Sequence, residues 1–184
     1  ALESYRFNDA ANSLYRFTWN IFCDWYIELS KTILINESHE DRVETQNVAA
    51  YVLNKITIML HPIMPFITEH LWKEIDFINH NSMKKVIHAE WPKIIKLKTV
   101  TNNDVDKLIE IISSIRSTRS ELNVPPKAMI EIQYNNDQAG LKMIFTKYSS
   151  ALKSIARIES IEDFKGDRSE GDIQVIHDLS LIHI

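Results

Sequence analysis

Residues 1 to 139 contain no glycine; the three glycines of the chain are Gly140, Gly166 and Gly171. Glycine supplies positive φ and lets backbone approach a ligand closely. A loop of the form G-x-G-x-x-G or G-x-x-x-x-G-K-[ST] therefore cannot be written anywhere in this sequence. Both of those ways of cradling a nucleotide phosphate are excluded. A tract this long without a glycine to break it reads as helix wherever apolar residues recur at helical spacing.

Four such segments are predicted. Residues 5 to 30 place Leu14, Phe17, Ile21, Phe22, Trp25 and Leu29 on one broad face at about 100° per residue. Opposite lies a polar stripe of Arg6, Asp9, Ser13, Arg16, Asn20 and Asp24. Ser38 and Asp41 form a weak capping box that opens a second helix, with Val48, Val52, Ile56, Met59 and Leu60 inward and Pro62 as its stop. Pro65 starts a third, shorter helix whose buried side is Phe66, Ile67, Leu71, Trp72 and Ile75, and residues 78 to 102 are irregular. A fourth, from about Asp104 to Asn123, turns Leu108, Ile111, Ile112, Ile115 and Leu122 inward and ends at Val124-Pro125-Pro126.

Past the double proline the period falls to two. Ile130, Ile132 and Tyr134 alternate with Glu131 and Gln133, the mark of a strand covered on one face, and Asn135-Asn136-Asp137 turns the chain. A helix carrying Leu141, Ile144, Phe145 and Tyr148 follows, then strands over Ser154 to Ile161 and Asp172 to Ile176. The expected fold is mainly α: an antiparallel helical bundle over residues 1–123, joined to a small α+β subdomain over 124–184.

Charge and cysteine usage narrow the function classes. A net charge of −4 does not describe a strongly basic nucleic-acid module, although local patches bind RNA whatever the total. One cysteine, Cys23, rules out an internal disulfide and a thiolate zinc site and points to a reducing compartment, so a cytoplasmic location is expected. No apolar run is long enough to span a membrane, and the amino end lacks signal-peptide organisation. The seven histidines show no metal-ligand spacing, no H-E-x-x-H occurs, and no nucleophile, base and orienter can be grouped. No metal and no catalytic residue are expected. A chain that starts without methionine and stops inside the apolar run Leu179-Ser180-Leu181-Ile182-His183-Ile184 is expected to be a piece of a longer polypeptide.

Several constellations have two readings each. Eight of the seventeen aromatics fall between Tyr5 and Tyr26. They are either a bundle core with its edge at solvent or, at that edge, rings that stack unpaired RNA bases, with Trp19 and Phe22 as the candidates. The polar stripe is either a solvated face or a surface that reads base edges. In the fourth helix Arg119 emerges from the middle of the apolar stripe, with Arg116 and Asn123 at its margin. These arginines either pair with a carboxylate such as Asp24 or Glu121, or snorkel to an edge and meet phosphate. Lys84, Lys85, Lys93, Lys96 and Lys98 form a basic segment that lies along a phosphate backbone or is simply solvated.

Four blocks in order carry a family resemblance. Ala1-Leu2-Glu3-Ser4-Tyr5-Arg6-Phe7-Asn8-Asp9-Ala10-Ala11, with Leu14-Tyr15-Arg16-Phe17 and Trp19 to Glu28 after it, resembles the start of the anticodon-binding domain of class I aminoacyl-tRNA synthetases for branched aliphatic amino acids. Leu60 to Trp72 is similar to their second block, Ala89-Glu90-Trp91-Pro92 to the tryptophan-proline after it, and Ile115 to Pro126 is most similar to the valyl family within the group. The match spans about residues 1 to 160.

The resemblance implies a parent enzyme that uses ATP, with magnesium, to ligate valine to its tRNA. The catalytic domain, with HIGH and KMSKS signatures, and the editing domain would precede Ala1, and a coiled-coil arm would follow Ile184. This piece should then bind the anticodon arm of tRNA-Val as a monomer, with no cofactor and no catalysis of its own. From the face arguments, Arg6, Asn8, Trp19, Asn20, Phe22 and Asp24 are expected near the bases, and Arg116 and Arg119 near the RNA backbone or as helix-locking pairs. The equivalent domain of an isoleucyl or leucyl enzyme and a helical protein-interaction module remain alternatives.

Overall fold

A computed structural model describes residues 1–79, 85–95, 103–134, 139–164, 174–177 and 180–183. The Asn135-Asn136-Asp137 turn, three lysines of the basic segment (Lys84, Lys96, Lys98) and the glycines Gly166 and Gly171 lie outside the described residues. The chain divides into two compact units, Ala1–Lys98 and Thr99–Ile184.

The first unit opens with a short 3-10 turn, Leu2–Ser4, and continues into one helical rod from Phe7 to Ile35. Its ends are ordinary α-helix, α1 (Phe7–Arg16) and α2 (Glu28–Ile35), but Phe17–Ile27 between them is π-helix. Bonding from i to i+5 winds the backbone wider than the usual 3.6 or so residues per turn. In an α-helix a row spaced by four drifts about 40° per step, and the wider winding turns that drift back the other way, so α and π segments in succession keep such a row on one side. The consequence is visible in burial: Ala10, Leu14, Thr18, Phe22, Tyr26 and Ser30 form the inward row, each buried or half-buried. The predicted face, drawn for a regular α-helix, is corrected accordingly: Phe17 and Ile21 are exposed.

Two further α-helices follow among the described residues of this unit, α3 (Arg42–Leu60) and α4 (Pro65–Asn79), and α3 packs against α1, α2 and α4. The expected capping box does not form. Asp41 stands at the N-cap without a side-chain bond, and Ser38 instead donates its backbone N–H to Asn36 Oδ1 at 3.1 Å. The Arg42 side chain ties the start of α3 to the end of α2, its Nε donating to the Leu34 carbonyl at 3.1 Å. In α4 the buried positions are Thr68 and Ile75 with Trp72 half-buried, while Phe66 is 92% exposed. Phe66, Ile67 and Leu71 therefore do not form the inward face that their spacing predicts.

The turn between α3 and α4 is held by its own polar groups. Thr68, 2% exposed, donates its hydroxyl to the Met64 carbonyl at 2.7 Å. His61 Nδ1 lies 2.8 Å from the same oxygen. With the threonine proton committed to the carbonyl, His61 Nδ1–H is the donor. Thr68→Val keeps the shape and the main-chain bond from residue 68 to the Met64 carbonyl but strands the imidazole N–H, and should cost about 1–2 kcal/mol in thermal or urea unfolding.

The second unit pairs one long helix with a small sheet. Leu108, Ile111, Ile112 and Ile115 of α5 (Asn103–Glu121) are all fully buried, and α5 lies alongside α7 (Ser149–Ala156). Each such side chain contributes about 1.5–3 kcal/mol by leaving water. The sheet has the order β2-β1-β4-β3, with β1 (Ile130–Tyr134), β2 (Ile158–Asp163), β3 (Gln174–His177) and β4 (Ser180–His183). Strands β1 and β2 run parallel, so the chain between them crosses over through α6 (Ala139–Lys147) and α7. The other two pairings are antiparallel.

The architecture is thus mainly helical with a small α+β part, as the periodicity predicts. Two details differ. Ser154 to Ala156 end a helix, and the strand starts only at Ile158. The compact units divide after Lys98 and not after Asn123, because α5 buries its apolar stripe with α7 and the sheet of its own unit.

Candidate nucleic-acid interface

The rod in the first unit places the candidate side chains by the same spacing that builds its core. One position round from the inward row, Tyr15, Trp19 and Cys23 are exposed; one further, Asn8, Asn12, Arg16, Asn20 and Asp24 are exposed. The Tyr15 and Trp19 rings stack in parallel, centroids 6.3 Å apart and planes 1° from coincident. They remain 62% and 57% exposed, so this is a surface pair and not a core contact. Tyr15, which sequence reasoning did not single out, is marked by its place four residues before Trp19.

Phe22 is elsewhere. It is 6% exposed and stacks on Tyr26 at 5.6 Å, and the ring faces inward, so no base can reach it from solvent. The Tyr26 hydroxyl donates to the Thr45 carbonyl at 3.1 Å, which fastens the rod to α3. Burial pushes the Tyr26 phenol above its ordinary range, with a hydrogen bond to Ser30 acting the other way. Phe22 and Tyr26 thus form the polar-tipped core that carries the surface rows.

Arg6, Asn8, Asn20 and Asp24 are exposed as expected. Arg6 pairs with Asp9 at 3.5 Å, an open ion pair of small energetic weight. Arg16 is in no ion pair among the described residues, so its guanidinium is available to an anion.

Arg116 and Arg119 belong to the second unit and hold it together. Arg119 is 8% exposed and meets neither a carboxylate nor the surface. Its Nη2 donates to the carbonyls of Pro125 at 3.1 Å and Ala128 at 2.8 Å. The helix ends just beyond, at Asn123 in the left-handed region with φ 52°, and the Val124 N–H returns to the Arg119 carbonyl. Main-chain oxygens of the returning loop are the third kind of partner, beyond the two that the sequence suggests. Arg119 Nη1 is buried with no hydrogen-bond partner. Arg116, exposed, donates to the Ile155 carbonyl at 3.3 Å, in the last turn of α7 where a cation suits the helix dipole.

At another place in the first unit, Leu2, Ala10, Leu14, Met59, Pro62, Ile63 and Trp91 line an apolar hollow of about 180 Å³. No charged or hydrogen-bonding side chain other than the Trp91 indole enters its lining. Nearby in the chain, Glu69 accepts the Val86 N–H at 3.2 Å and so fixes the short 3-10 turn Val86–His88 that leads to Trp91.

Comparison with known proteins gives the family. A family model described as the anticodon-binding domain of tRNA ligase matches residues 1–134. The chain is 41% identical over 162 residues to a valine–tRNA ligase of Rhizobium meliloti, covering 88% of this chain and 17% of that protein. It is 42% identical over 165 residues to one from Zymomonas mobilis, covering 87% and 18%, and 36% identical over 182 residues to one from Pelagibacter ubique, covering 99% and 21%. The chain spans about a fifth of the length of the curated relatives it matches. With the match running from Ala1 through the rod to the end of β1, the chain belongs to the family of anticodon-binding domains of tRNA ligases.

Proposed function

We propose that the chain is the anticodon-arm-binding portion of a valine–tRNA ligase and acts by holding the splayed loop of tRNA-Val. The activation of valine with ATP and magnesium belongs, on this reading, to the four fifths of such a protein that the chain does not cover. The observation that carries it is the exposed face of the rod, where Asn8, Asn12, Arg16, Asn20 and Asp24 run beside an open aromatic pair inside the matched region. Amides, a guanidinium and a carboxylate together present donors and acceptors suited to base edges, and ring faces suit unstacked bases. A monomer in the cytoplasm is the expected setting.

Titration of the chain with an anticodon stem-loop of tRNA-Val tests this reading. Changing the loop bases while keeping the stem should weaken binding about tenfold or more, equivalent to about 1.4 kcal/mol. Binding indifferent to the loop sequence would remove anticodon recognition. The apolar hollow at Leu2, Ile63 and Trp91 supports a second, protein-facing role for that end of the unit, since apart from the Trp91 indole N–H no side chain of its lining can bond a phosphate or a base edge.

A further inference from the structure

The geometry points to Tyr15, Trp19 and Arg16 as a single-nucleotide subsite, in which the two rings form a stacking platform for one unpaired base and Arg16 takes its phosphate. This rests on the anticodon-arm reading and names the part of the face that would grip one base.

Three observations support it. The rings are parallel to 1° and more than half exposed, so their faces stand aligned and open to solvent. Burying two large aromatics would be the ordinary use of such residues, but the rod turns its spacing-of-four row at Ala10, Leu14, Thr18 and Phe22 inward and leaves this one outside. The row Ala11, Tyr15, Trp19, Cys23 has a small residue at either end, so no bulky side chain of that row caps the stack. A planar base can extend it from the end, as bases stack on aromatic side chains in single-strand binders.

Charge selects RNA over an apolar protein surface. Arg16 and Asn20 directly follow the two rings in the chain and are exposed, and Arg16 has no ion-pair partner among the described residues. Arg6, by contrast, is already paired with Asp9. An unpaired guanidinium beside an aromatic platform matches a nucleotide, with a phosphate at one end and a π-face at the other.

The test uses 2-aminopurine, a base whose fluorescence is quenched when it stacks on indole. It is placed at each loop position of the stem-loop in turn, and also in an unstructured oligonucleotide. Wild type should quench one loop position strongly. Trp19→Leu, which keeps apolar bulk without an aromatic face, should abolish the quenching and weaken stem-loop binding at least tenfold, while Trp19→Phe should retain most of the affinity. Tyr15→Leu should act in the same direction. Arg16→Gln should weaken binding and flatten its salt dependence yet leave the quenched position quenched. Circular dichroism should be unchanged in all four, because the positions are exposed.

Loop-specific binding of equal strength and equal quenching in wild type, Trp19→Leu and Tyr15→Leu would overturn the subsite while leaving anticodon recognition intact. Trp19-dependent quenching of the oligonucleotide with no preference among loops would keep the subsite and overturn anticodon recognition. Quenching of neither RNA would overturn the subsite and assign the rings to a protein contact.

Discussion

Arg119→Met should lower the stability of the second unit by about 2–3 kcal/mol and its melting temperature by about 10 °C or more. The reasoning starts from the two carbonyls. Pro125 and Ala128 present their oxygens to one guanidinium nitrogen at 3.1 and 2.8 Å, where the side chain is 8% exposed. Hydrogen bonds to a charged donor are each worth about 1.5–3 kcal/mol, and methionine removes both: the Ala128 carbonyl loses its guanidinium donor, while the Pro125 carbonyl keeps the Ala128 N–H at 2.9 Å. Part of that loss is offset, because the buried Nη1 that no group satisfies disappears as well. Arg119→Lys should recover less than half, since a single ammonium cannot reproduce the fixed geometry of the fork. Thermal melts with stem-loop titrations check the assignment: an unchanged melting temperature with reduced RNA affinity would move Arg119 from the fold to the interface.

The second large effect contrasts two apolar positions that sequence spacing treats alike. Ile112 is wholly buried in α5, and Ile112→Ala should cost about 3 kcal/mol through lost transfer energy and the cavity left behind. Phe66 is 92% exposed, and Phe66→Ala should alter stability by no more than about 0.5 kcal/mol. Urea unfolding of both variants gives the comparison directly. A Phe66→Ala cost as large as that of Ile112→Ala would show that α4 packs with the face its sequence pattern suggests.

That contrast shows where the sequence is legible. Helix α5 has one apolar stripe, so Leu108, Ile111, Ile112 and Ile115 identify both the element and its inward side. Strand β1 is equally plain, because Ile130, Ile132 and Tyr134 alternate with polar residues. In α4 the apolar residues outline two overlapping faces, and the choice between them is made by Thr68, whose hydroxyl bonds hold a polar residue in the core. Hydrophobic spacing carries no record of such a bond. The segment Ser149–Ala156 fails for another reason: eight residues are too few for periodicity to separate helix from strand.

For the candidate interface, the residue types were legible and their directions only partly so. The exposed polar residues Arg6, Asn8, Asn20 and Asp24 and the exposed ring of Trp19 could be read from the pattern. Phe22 stands both on the apolar face and among the candidate rings, and its burial decides for the face. The exposure of Phe17 and Ile21 could not be read, because it depends on how widely the rod is wound between Phe17 and Ile27. The partners of Arg119 were beyond reach as well, since they are main-chain oxygens in a loop whose path no side-chain pattern encodes.

The wide winding of that rod makes chain length there more sensitive than chemistry. Removing or adding one residue between Phe17 and Ile27 would re-index the segments on either side, carrying Phe22 and Tyr26 out of the core and bringing polar neighbours into it. Sequence drift through this stretch should therefore proceed by replacement, with gaps tolerated only beyond Ile35, where the loop before α3 can absorb them.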